Sequence, residues 1–204
     1  MGPLILSLSP ELDLKNARIA TPGAFTTAHL LLQLAYGKDL DLRPMRYDQI
    51  IPALLDGSAD AGVIIHESRF TYKNFGLHKL LDLGEWWEGT TGHPLPLGAI
   101  LVRRDLGLET QQLLDRAVAA SLRYSREHPE ESRAYIREHA NELEPWVIQA
   151  HIDTYVNEFS DDVGVEGEAA VQELSRQAAQ MGLTKQPSGG LFVPQGGVKA
   201  RAEG

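Results

Sequence analysis

The spacing of apolar positions changes near residue 105. Before it, short apolar runs alternate with stretches of helical spacing, the βαβ rhythm of a mostly parallel sheet; after it, helical spacing dominates. Residues 18–21 predict a strand. Residues 25–35 predict a helix, entered through a Pro22-Gly23 turn and stopped at Gly37. A second strand is expected over 42–47. Asp48 is placed to cap a helix with the apolar face Ile50, Ile51, Leu54 and Leu55, closed by Gly57, and Pro52 falls in its first turn, where it removes at most one backbone bond. Residues 61–65 are continuously apolar, as in a strand buried on both faces, with His66 at its carboxyl end. After a short irregular or helical piece, residues 80–87 and 98–102 read as two more strands around the Gly- and Pro-bearing loop 89–97. Helices are expected over 110–127, 129–140, 145–157 and 166–181, two of them opening on a proline near the first helical position. The Gly-rich tail 187–204 is expected to pack as no single element.

Composition narrows the function classes. The length suits one large α/β domain or two small lobes, and 43% hydrophobic with 23% charged residues is ordinary for a soluble protein. The absence of cysteine excludes a disulfide framework, a thiolate zinc site and a Cys nucleophile, and fits a reducing cytoplasm. The net charge is -9 and the 19 Lys and Arg residues are scattered, so there is no basic stripe and nucleic acid is not an expected partner. No apolar run approaches the roughly 20 residues of a membrane span, so a membrane partner is not expected either. Residues 1–10 lack the basic and small-residue marks of a secretory signal.

Ligands of open α/β sheets collect beyond the carboxyl ends of the strands, which singles out two segments. In Thr21-Pro-Gly-Ala-Phe-Thr-Thr-Ala28 a strand ends in a glycine turn and a helix opens at Thr26 and Thr27. Their hydroxyls and free backbone N–H groups suit a carboxylate or phosphate; alternatively one threonine is simply the helix cap. In Ile64-Ile-His-Glu67 a buried strand delivers His66 to the ligand side. A neutral imidazole there is able to take a proton near pH 7, or else it is a structural histidine bonded to a carbonyl. Glu67, adjacent along a strand, points to the opposite face and is expected to pair with an arginine or solvent. His29 falls within a helix, His78 before a strand and His93 on a loop, while His128, His139 and His151 belong to the helical region, mostly at positions expected to be exposed. Trp86-Trp87, Phe70, Tyr72 and Phe75 are assigned to core packing ahead of a pocket wall. No metal-ligand cluster is convincingly spaced, and the serine-hydrolase elbow, the Walker loop and the dinucleotide fingerprint are all missing, so no metal and no nucleotide cofactor is expected.

Four segments in this order carry a resemblance: Ile19-Ala-Thr-Pro-Gly-Ala-Phe-Thr-Thr-Ala-His-Leu-Leu-Leu32, Asp60-Ala-Gly-Val-Ile-Ile-His-Glu-Ser-Arg-Phe-Thr-Tyr72, Asp82-Leu-Gly-Glu-Trp-Trp-Glu88 and Pro94-Leu-Pro-Leu-Gly98. Together with Tyr155-Val-Asn-Glu-Phe-Ser160 and the turn 164–167, the chain resembles the 1,4-dihydroxy-6-naphthoate synthases of the futalosine route to menaquinone over nearly all of residues 2–181. The resemblance implies an α/β, type II periplasmic-binding-protein-like fold of two lobes closing on a small-molecule substrate, cyclic dehypoxanthine futalosine, with no cofactor. It puts the catalytic base on His66 and the substrate contact on Thr27 and Ala28, with Thr26 beside them at the helix start.

Members of that family begin with further strands and helices, including a Ser-Pro-x-Pro-Asn-Asp motif, and none of this precedes Gly2. The first lobe is therefore expected to be incomplete in this chain: residues 1–17 as its remnant and crossover, 18–102 as the second lobe, 103–182 as a helical return to the first, and 183–204 as the tail. The activity of the 204-residue chain on its own is correspondingly open, as is its oligomeric state, a homodimer included. Chorismate dehydratase of the same pathway, a transporter's solute-binding protein and a ligand-sensing regulatory domain are the rival readings.

Overall fold

In the computed structural model, which describes residues 2–65, 68–139 and 144–194, a five-stranded sheet forms from β1 (Leu4–Ser7), β2 (Arg18–Thr21), β3 (Asp41–Pro44), β4 (Ala61–Ile64) and β5 (His78–Asp82), in the spatial order β3-β2-β4-β1-β5. β2 runs parallel to β3 and β4, whereas β1 runs antiparallel to both β4 and β5. Four strands therefore point one way. The register Leu4↔Ile64 and Leu4↔Asp82 brings the amino end of β1 to the edge where those four strands finish.

Strand alternation divides the core in two. Ile5, Ile19, Ala61 and Val63 face one side and pack with Ala28, Leu31 and Leu32 of α1 (Thr27–Tyr36) and with Leu83 and Trp87. Leu4, Leu6, Ala20 and Ile64 face the other and pack with Ile50, Ala53 and Leu54 of α2 (Ile50–Leu55). The three inner strands are apolar on both faces, so they read as continuous runs with little alternation. Gly62 lets α2 lie close: a Cβ there would stand 2.5 Å from Ile50 Cγ2.

The remaining helices are α3 (Ser68–Thr71), α4 (Leu83–Thr91), α5 (Leu108–Glu127), α6 (Pro129–His139), α7 (Pro145–Tyr155), α8 (Glu158–Asp161) and α9 (Gly164–Gln180). α9 returns to the sheet layer, where Leu174 packs on the core beside α1 and Lys38 donates to the Met181 carbonyl. The predicted helices in this half stand with ends moved by a residue or two, and Asn157 caps the separate short α8. Residue 140, the expected end of α6, and the tail beyond 194 lie outside the described residues.

Several expectations need correction. The strand expected over 80–87 stops at Asp82, and Leu83, Trp86 and Trp87 belong to α4. Asp82 decides this: its Oδ1 accepts from the N–H groups of Gly84 at 2.9 Å and Glu85 at 3.3 Å, a helix cap in the middle of an aromatic run that resembles a strand. The strand expected over 98–102 is absent among the described residues. Residues 42–47 give only the exposed edge strand β3, ending at Pro44 where a missing donor is tolerated. Asp48 lies within a 3₁₀ turn and pairs with Arg46 instead of capping α2. Residues 4–7, for which no strand was expected, form β1 inside this sheet.

Candidate functional site at the carboxyl edge

β2 ends at Thr21, and the chain turns through Gly23 at φ 132°, a backbone conformation that favours glycine, before entering α1. Thr26 is the cap. Its Oγ1 donates to the Gly23 carbonyl at 2.8 Å and accepts from the His29 N–H at 3.2 Å, so the alternative read from sequence, that one threonine serves the helix, holds for Thr26. Thr27 Oγ1 donates to the Leu97 carbonyl at 3.0 Å and thereby ties the segment after α4 to the helix start. Among the described residues no donor reaches its lone pairs. Ala28 is buried with its methyl in the core, so the group it offers is its N–H. The N–H groups of Thr27 and Ala28 lie in the first turn, where no intrahelical carbonyl reaches them, at the positive end of the helix dipole.

Behind this turn, Thr21 Oγ1 and His29 Nδ1 are 2.9 Å apart, both residues buried. Burial pushes the His29 imidazole below its ordinary pKa, so it stays neutral near pH 7. The pair joins the end of β2 to the first turn of α1 and fixes the angle at which the helix points along the edge. Nothing in the sequence marked it apart from the i, i+3 spacing of His29 from the cap.

On the neighbouring strands, β4 ends at Ile64. His66 and Glu67, the predicted base and its neighbour, lie outside the described residues. α3 follows, and its Arg69 donates to the Gly2 carbonyl and, at 2.9 Å, to Asp82 Oδ2. One guanidinium thus joins the segment after β4 to the entry of β1 and the exit of β5. Sequence reading gave Arg69 no part at this edge.

Two other groupings lie elsewhere. A cleft of about 460 Å³ opens between α9 and residues 186–191 and includes His93, Glu173 and Arg176; none of the edge residues lines it. Its charges are already matched, for Arg176 and Gln177 hold the Glu173 carboxyl down to about 2. His128, Glu130 and Glu131 come near enough to share a cation, but at the surface between α5 and α6, where Glu131 accepts from Tyr124 Oη. Among the described residues no helix is long and apolar enough to cross a membrane.

A sheet of this order, with an open helix start and strand ends gathered on one edge, defines an α/β protein of the periplasmic-binding-protein-like class. Solved structures agree: the periplasmic aliphatic sulphonate binding protein of Escherichia coli superposes with a TM-score of 0.58 at 16% identity, covering 100% of this chain and 70% of that one. A likeness at that identity shows the fold alone. A crystal structure of a protein from Archaeoglobus fulgidus is nearer, with a TM-score of 0.83 at 38% identity over 90% of this chain and 69% of that one. The family model for menaquinone biosynthesis matches residues 1–180, and the chain belongs to that family. Curated relatives named 1,4-dihydroxy-6-naphthoate synthase are 50% identical in Thermus thermophilus, over 95% of this chain, and 46% identical in Streptomyces coelicolor, over 89%. The chain spans 71% and 66% of those two relatives' own lengths.

Proposed function

We propose that this chain bears the catalytic base of a 1,4-dihydroxy-6-naphthoate synthase, acting on cyclic dehypoxanthine futalosine in the cytoplasm without a cofactor. The relatives' names and the family match support the reaction. The observation that carries the site is the open start of α1, where the Thr27 and Ala28 N–H groups stand unpartnered by the helix at the edge on which β2 and β4 end. In this reading those N–H groups and the Thr27 hydroxyl hold a substrate oxygen or carboxylate, and Thr26 acts by keeping them in place. His66, two residues beyond the last residue of β4 in the chain, takes a proton next to a carbonyl or hemiacetal carbon. The released electron pair expels the sugar-derived portion, and aromatisation of the ring drives the elimination forward.

The test is product formation from cyclic dehypoxanthine futalosine, with the unspanned portion of a relative joined to the chain. His66→Asn should lower kcat by 100-fold or more, in the general range of a lost base, about 10² to 10⁴. Near-wild-type turnover by that variant would remove His66 from the role.

A further inference from the structure

The first turn of α1 departs from what a helix start usually holds. A carboxylate side chain is stabilised there, and at the third helical position a Glu or Gln commonly reaches back to the N–H of the cap. In α1 that position is His29, and Thr27, Ala28 and His29 bring no acid. The Thr26 N–H goes instead to the Gly23 carbonyl at 3.2 Å, the His29 N–H to Thr26 Oγ1, and the Leu30 N–H to the Thr26 carbonyl at 3.1 Å. Of the donors in this turn, the N–H groups of Thr27 and Ala28 are the pair left without a partner among the described residues.

The His29 side chain is committed inward. It bonds to Thr21, which is fully buried and fixed by the sheet, since its carbonyl accepts from the Met45 N–H at 2.9 Å. The imidazole thereby sets the helix start against the end of β2, whereas the bond from Thr27 Oγ1 reaches only a loop, at Leu97. Burial keeps the ring neutral near pH 7, so it places the turn without adding a charge of its own beside a bound anion. We infer that Thr21 and His29 are positioning residues for the substrate: their bond holds the Thr27 and Ala28 N–H groups at the angle at which both donate to one anionic group. The inference rests on the role proposed for those two N–H groups and is independent of the chemistry proposed for His66.

The test is a titration of the 204-residue chain with benzoate, an aromatic carboxylate, read from the amide resonances of Thr27 and Ala28. Thr21→Val keeps the branched shape and loses the hydroxyl, and should weaken benzoate binding at those two amides by about fivefold. Thr21→Ser, which restores the hydroxyl, should return the affinity to within about twofold of the unsubstituted chain. His29→Leu should weaken binding by a factor similar to that of Thr21→Val, and the double variant by no more than either alone, because both remove one bond. The amide resonances of the strands between residues 4 and 82 should stay in place throughout, showing that each variant is folded. Unaltered affinity in Thr21→Val and His29→Leu, whatever their stability, makes the pair a structural contact only and overturns the inference. Losses that add in the double variant do the same. If benzoate leaves Thr27 and Ala28 unmoved in the unsubstituted chain, the proposed role of those amides fails, and the inference with it.

Discussion

Arg69 and Asp82 are joined by a 2.9 Å ion pair in which the carboxylate side chain is 1% exposed and the guanidinium 10%. Asp82 also caps α4, and Arg69 also holds the Gly2 carbonyl, so the pair ties three strand ends together just past the segment containing His66. Breaking a buried pair from one side leaves a charge without its partner. Arg69→Leu should therefore cost about 3–5 kcal/mol in urea denaturation, and a loss below about 1 kcal/mol would show that the pair is not needed. Arg69→Lys, which keeps the charge but not the forked geometry, should fall between the two.

Thr27 offers a cleaner test of the helix start than Thr26, whose hydroxyl is occupied by the cap. Thr27→Val keeps the branched shape and loses the bond to Leu97 and the accepting lone pairs. In the completed enzyme it should lower kcat/KM by about tenfold, near 1.4 kcal/mol, with little change in the denaturation midpoint. Thr26→Val should do the reverse, costing about 1 kcal/mol of stability through the lost cap.

His29 imposes a pH dependence whose sign follows from burial. Its folded pKa lies below the unfolded value of about 6.5, so the unfolded chain takes up the proton first as pH falls. The stability linked to a neutral His29 is thus complete above about pH 6.5 and declines as pH drops below it. His29→Asn, which keeps a partner for Thr21, should flatten the stability profile between about pH 6.5 and 5, and an unchanged slope would assign the dependence to other groups.

A methyl at residue 62 tests how closely α2 lies on the sheet. Since a Cβ would stand 2.5 Å from Ile50 Cγ2 and 3.2 Å from Leu54 Cδ1, Gly62→Ala should destabilise by about 1–3 kcal/mol. Gly62→Ala combined with Ile50→Ala, which removes the Cγ2 methyl that the new Cβ would meet, should cost less than the sum of the two single substitutions in the same denaturation experiment.

The strands that sequence identified most cleanly were those with consecutive apolar residues and a glycine or proline nearby, as at 18–21 and 61–64. Their apolar runs required burial, and the punctuation fixed where they ended. β1 escaped notice because Leu4-Ile-Leu-Ser7 is short and its partners, Ala61–Ile64 and His78–Asp82, lie far along the chain. Trp86 and Trp87 misled because aromatics favour strands, whereas one carboxylate accepting two N–H groups at Asp82 set a helix there. At the start of α1, a capping threonine was legible from the strand-turn-helix order, and Thr26 is that cap, whereas Ala28 came in only through the family resemblance. The burial of His29 and the reach of Arg69 were not, since each depends on a strand brought in from elsewhere: Thr21 for one, and Gly2 with Asp82 for the other.

The position of β1 has a consequence for how the sheet is made. Leu4 pairs with both Ile64 and Asp82, so on a ribosome β1 waits with Leu4, Ile5 and Leu6 uncovered until residue 82 has emerged. Pairings of such long reach slow folding and lengthen the exposure of apolar segments. During that interval the nascent chain is most in need of a chaperone, and substitutions that speed closure of β5 onto β1 should raise soluble yield without touching the finished structure.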